Sequence, residues 1–72
     1  MLGTVIFYDR RKAWGFVTPD DTRLADFFVH ISGLPQNHKF LSEGDRVEFN
    51  AGERQGKSCA LDVRILSSAG GQ

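Results

Sequence analysis

The sequence predicts a small all-β fold, a five-stranded antiparallel barrel, and three observations carry that expectation. Five short runs alternate apolar and polar side chains with the period of two of a half-buried strand. Clusters of Gly, Pro, Asn and Asp separate the runs, as turns require. No stretch shows the three-to-four spacing of an amphipathic helix of useful length.

The first strand is expected over Thr4 to Tyr8, whose β-branched and aromatic side chains suit a pleated surface. Asp9-Arg10-Arg11 is too short for anything but a tight turn. Lys12 to Thr18 follows as the second strand. Alternation puts Lys12, Trp14 and Phe16 on one face and Ala13, Gly15 and Val17 on the other. Pro19-Asp20-Asp21 ends it with strong turn chemistry.

Ala25 to Ile31 is the third strand, with Phe27, Val29 and Ile31 on one face and Asp26, Phe28 and His30 on the other. The first set is wholly apolar and reads as core. The reverse orientation would bury an unpaired carboxylate, which is costly. This fixes the second strand as well, because a hairpin joins the two. Its small residues then face the core, and Trp14 and Phe16 face outward.

Ser32 to Gly44 is a connection broken by Gly33, Pro35 and Asn37, with room for one short helical turn near Ser32. Arg46 to Asn50 is the fourth strand, with Val47 and Phe49 inward, and Ala51 to Gly56 reads as a polar turn. Ser58 to Leu66 is the fifth strand, with Leu61, Val63 and Ile65 on its apolar face. Residues 1–67 make one domain and 68–72 a flexible tail of small residues. Five short strands of this kind fit either an oligonucleotide/oligosaccharide-binding (OB) barrel or an SH3-like barrel.

Bulk properties narrow the function. The chain has 72 residues, nine basic and nine acidic side chains, and no net charge, so attraction to a polyanion must come from local patches. A single cysteine, Cys59, forms no internal disulfide, which points to a reducing cytoplasm. No apolar run approaches the ~20 residues of a membrane helix. Two histidines and one cysteine lack metal-ligand spacing, and no nucleophile has an evident base. The expectation is a non-enzyme without cofactor, metal, membrane contact or small-molecule substrate.

The outward set of the second and third strands is Lys12, Trp14, Phe16, Phe28 and His30. Aromatics interleaved with a cation suit unpaired bases, because every base offers a face for stacking. A duplex cannot present its base faces to such a surface. The expected partner is single-stranded RNA or DNA. An SH3-like barrel holding a proline-rich peptide against the same aromatics is the alternative.

Gly3-Thr-Val, Lys12-Ala-Trp-Gly-Phe-Val, Asp26-Phe-Phe-Val-His-Ile and Leu41-Ser-Glu-Gly-Asp-Arg-Val-Glu-Phe resemble the bacterial cold-shock proteins. The resemblance covers nearly the whole chain in order, and the middle two segments resemble that family's ribonucleoprotein-type motifs. It implies a five-stranded OB barrel that binds single-stranded nucleic acid and acts as an RNA chaperone or transcription antiterminator. It implies nucleic-acid contacts for Lys12, Trp14, Phe16, Phe28 and His30, and adds Phe7 and His38; Lys39, next to His38, is a further candidate contact.

Phe7 poses a conflict, since alternation sends it inward with Val5 while the resemblance sends it outward. A β-bulge in the first strand would reconcile the two. Thr4 and Ile6 stand where the family often has Lys, and Ala13 replaces a common Gly. Ile31, Phe40 and Asp62 are further departures. A monomer is expected, and the long third-to-fourth connection would also permit a strand-swapped dimer.

Overall fold

The computed structural model describes residues 1–35 and 40–68. The strands are β1 (Leu2–Asp9), β2 (Trp14–Pro19), β3 (Phe27–His30), β4 (Arg46–Arg54) and β5 (Lys57–Ser67), with a 3-10 turn over Ile31–Gly33. They close into a barrel, as expected, and the strand order around it is β1-β2-β3-β5-β4. Four of the five pairings are antiparallel. The β3–β5 contact is parallel and short, with Phe28 beside Cys59 and Val29 beside Ala60.

The interior is built from the faces that alternation predicts. Val5, Val17, Val29, Val47, Phe49 and Val63 are almost fully buried, and Phe27 packs on Phe49 with ring centroids 5.1 Å apart. Leu41 joins them from the loop before β4. Gly15 allows β1 and β2 to close tightly. A Cβ there would meet the Phe7 carbonyl oxygen well inside contact distance and lie 2.8 Å from Tyr8 Cα.

Five local expectations are corrected. β2 begins at Trp14, and Lys12 and Ala13 lie in the preceding turn. Ala13 is left-handed there, with φ 64°, so the phase of the strand does not extend back to Lys12. Ile31 leaves the sheet for the 3-10 turn and is only partly buried.

β4 continues to Arg54, because Gln55 and Gly56, both at positive φ, form a tight hairpin turn. The polar segment expected as a turn is thus mostly strand. Leu61 is 37% exposed rather than core. Pairing slips between Glu48 and Asn50, and Asp62 adopts φ 51°, which resets the alternation before Val63. Ser67 belongs to β5, opposite Arg46.

Candidate nucleic-acid interface

A β-bulge settles the position of Phe7. The β1–β2 register passes from Val5↔Val17 directly to Phe7↔Phe16, so Ile6 is the extra residue. Ile6 and Phe7 are consecutively exposed, at 45% and 39%, and Tyr8 returns to the core. One strand thereby serves the interior at Val5 and Tyr8 and the outer face at Phe7.

Phe7 meets Trp14 at 5.6 Å between ring centroids. Trp14 touches Phe16 edge-on at 5.5 Å and lies nearly parallel to Phe28, at 5.8 Å and 28°. Phe16 and Phe28 are cross-strand partners 6.1 Å apart. The four rings form one continuous patch over β1, β2 and β3. Trp14, Phe16 and Phe28 are each partly exposed, while their neighbours Gly15, Val17, Phe27 and Val29 are buried. The outward orientation expected for β2 and β3 is therefore the one the chain adopts.

His30 sits across from Trp14 and caps the 3-10 turn. The Ser32 amide donates to His30 Nδ1 at 3.1 Å, and Ser32 Oγ lies 3.0 Å from the same nitrogen. A backbone N–H can only donate, so Nδ1 is an acceptor and Nε2 carries the proton of the neutral ring. Asp26 lies just before β3 and accepts a 2.7 Å hydrogen bond from Thr18 Oγ1.

Two open grooves flank Phe28. One, of about 310 Å³, is bordered by Phe28, His30, Arg54, Gln55, Lys57 and Cys59. The other, of about 330 Å³, is bordered by Phe16, Ala25, Asp26, Phe28, Lys57 and Ser58. Lys57 borders both, and Arg54 faces it across the hairpin. Neither cation is among the candidate contacts that the sequence offers. The signal it lacked was the short Gln55-Gly56 turn, which brings the hairpin's end beside β3.

Most other cations are engaged. Arg46 makes a bidentate pair with Asp20 at 2.7 Å and also donates to Thr4 Oγ1. That guanidinium holds the Asp20 carboxyl below the usual carboxylate range. Arg23 pairs with Asp21, whose carboxyl is lowered likewise, and Arg64 lies 3.7 Å from Glu48. Arg10 stands over the Phe40 ring, 3.8 Å from its centroid.

Arg11, Lys12, Arg54 and Lys57 have no ion pair among the described residues. Lys12 lies in the turn that leads into Trp14, where its amide donates to Asp9 Oδ1 at 3.1 Å. His38 and Lys39 lie outside the described residues. Among those residues, no helix is long and apolar enough to cross a membrane.

Comparison with known proteins agrees with the geometry. The family model described as the 'Cold-shock' DNA-binding domain matches residues 1–66. A cold shock-like protein of Aquifex aeolicus is 38% identical over 65 residues, covering 89% of this chain and 91% of its own. Cold shock-like protein CspB of Yersinia pestis is 39% identical over 67 residues, covering 92% and 94%. CspE of Escherichia coli is 46% identical over 48 residues, covering 65% and 68%. The chain belongs to the cold-shock DNA-binding domain family, a family of non-enzymatic nucleic-acid-binding proteins.

Proposed function

We propose that the chain binds single-stranded RNA and DNA by stacking unpaired bases on Phe7, Trp14, Phe16 and Phe28, with backbone phosphates held by nearby cations. The observation that carries this reading is the continuous patch of four partly exposed rings, with centroid separations of 5.5 to 6.1 Å. Stacking contributes about 1–3 kcal/mol per base and tolerates any sequence. His30 adds a ring edge and an Nε2–H donor beside Phe28. Residues 1–67 are the functional module, and His38 and Lys39 are further candidate contacts.

Phosphate contacts come from the cations that have no ion pair among the described residues. Lys12 and Arg11 stand at the Trp14 end of the patch, and Arg54 and Lys57 at the Phe28 end. Four neutralised phosphates on a single strand give a log–log salt slope of about −2.8. Bases held on the rings cannot pair with each other. Transient binding therefore keeps RNA from folding back on itself, the action of an RNA chaperone or antiterminator in the cytoplasm, and it requires no bond-making chemistry.

Trp14 reports on the test directly. Oligothymidine or an unstructured RNA is expected to quench its fluorescence with the salt slope above, while a duplex and a proline-rich peptide leave it unchanged. Absence of quenching by any single strand at low salt would overturn the proposal, and quenching by the peptide alone would favour a protein-binding barrel.

A further inference from the structure

The ring patch does not exhaust the exposed aromatics of this face. Phe40 is 39% exposed, and the Arg10 guanidinium carbon sits 3.8 Å above the centre of its ring. A guanidinium that close to the centroid lies against the ring's face, with its far face and its N–H edge left to solvent.

Two further observations tie this pair to the patch. Gly44 N–H donates to the Val5 carbonyl at 2.7 Å, and Val5 N–H to the Asp45 carbonyl at 2.9 Å. The segment leading into β4 therefore approaches β1 at Val5, and its other end meets Arg10, immediately beyond β1. Phe7 emerges between these two points. Asp9, the carboxylate nearest to Arg10 in sequence, accepts the Arg11 and Lys12 amides at 2.9 and 3.1 Å. Arg10 has no ion pair among the described residues.

We propose that Arg10, backed by Phe40, is an additional base-stacking position at the Phe7 end of the patch, where one more nucleotide packs its base on the outer face of the guanidinium. The inference rests on the proposed single-strand binding. A guanidinium plane is a stacking surface in its own right, and its in-plane N–H groups can meet the adjoining phosphate or a base carbonyl. Phe40 holds the plane in place before the ligand arrives, so little side-chain freedom remains to be lost on binding.

The position lies beyond the four rings, so its effect depends on ligand length. Affinities are measured by Trp14 quenching for oligothymidines of about 4 and about 8 nucleotides, within the range that one barrel of this type holds. Arg10→Ala and Phe40→Ala are each expected to weaken the longer ligand about 5- to 10-fold and the shorter one less than about 2-fold. Phe40→Leu keeps an apolar side chain against the loop and is expected to behave like Phe40→Ala, with circular dichroism confirming the fold. Arg10→Lys retains the charge without the plane and is expected to lose most of the same affinity.

Wild-type affinity for the longer ligand in both alanine variants would overturn the inference. So would an equal loss at both lengths, which marks a loop tie rather than a binding position, or full affinity in Arg10→Lys, which marks charge alone. If the wild-type chain quenches with neither ligand, it is the proposed single-strand binding that fails.

Discussion

Phe27 and Phe28 are adjacent, chemically identical and placed on opposite faces of one strand, so the same substitution at each should have opposite consequences. Phe27 is 6% exposed and packed on Phe49. Replacing a buried Phe by Ala costs about 3–5 kcal/mol. A domain of this size has only about 4–11 kcal/mol to lose, at roughly 0.05–0.15 kcal/mol per residue. Phe27→Ala should therefore lose from about a quarter of that stability to all of it. Phe28 is partly exposed, and its ring partners Trp14 and Phe16 remain in contact with each other when it is removed. Phe28→Ala should keep the fold and lose about 1–3 kcal/mol of stacking, a roughly 5- to 150-fold drop in single-strand affinity. Urea titration followed by circular dichroism measures stability, and Trp14 quenching by oligothymidine measures binding. A folded Phe28→Ala with undiminished affinity would refute the base-stacking role. Comparable unfolding of both variants would refute the assignment of the two faces.

Other consequences concern stability. Ala13 holds φ 64°, a region that costs a residue with a Cβ about 1–2 kcal/mol. Ala13→Gly relieves that cost while adding freedom to the unfolded chain. A net gain of about 0.5–1 kcal/mol is expected, seen in thermal unfolding as a rise of several degrees. The Tyr8 hydroxyl is buried without a hydrogen-bond partner among the described residues, and burial pushes its pKa up. Tyr8→Phe should stabilise the fold by about 1 kcal/mol, in urea titration, by removing an orphaned polar group. Arg46 lowers the Asp20 carboxyl from its ordinary 3.8. A depressed folded-state pKa contributes stability above the unfolded value, and that contribution is lost as pH falls through the folded value. The stability difference between wild type and Asp20→Asn should therefore be constant near neutrality and fall away in acid, as pH drops below the ordinary 3.8 and on through the lowered folded-state value. A difference unchanged in acid would show that the pair contributes nothing through charge.

Alternation identified the outward rings of β2 and β3 because both strands keep one phase throughout. Gly15 and Val17 on β2 and Phe27 and Val29 on β3 all face the core, which leaves Trp14, Phe16, Phe28 and His30 outside. The rule failed where the phase changes, at Ile6–Phe7 in β1 and Leu61–Asp62 in β5. A bulge is a property of the pairing between two strands, and neither strand's own sequence contains it. Ala13 hid the end of the β1–β2 turn for a related reason, since a left-handed residue with a side chain gives none of the warning that Gly gives. Ala51 to Arg54 read as loop because that arm of the hairpin has little interior beneath it, so burial imposes no period there. These irregularities fall where the candidate site needs them. Without the bulge, β1 would carry Phe7 into the core beside Val5, and Trp14 would lack its neighbour. Without the long β4–β5 hairpin, Arg54 and Lys57 would not reach the grooves beside Phe28. β2 and β3 pack a core on one side and display aromatics on the other with their period intact, whereas β1 adds Phe7 to that surface only by breaking its own.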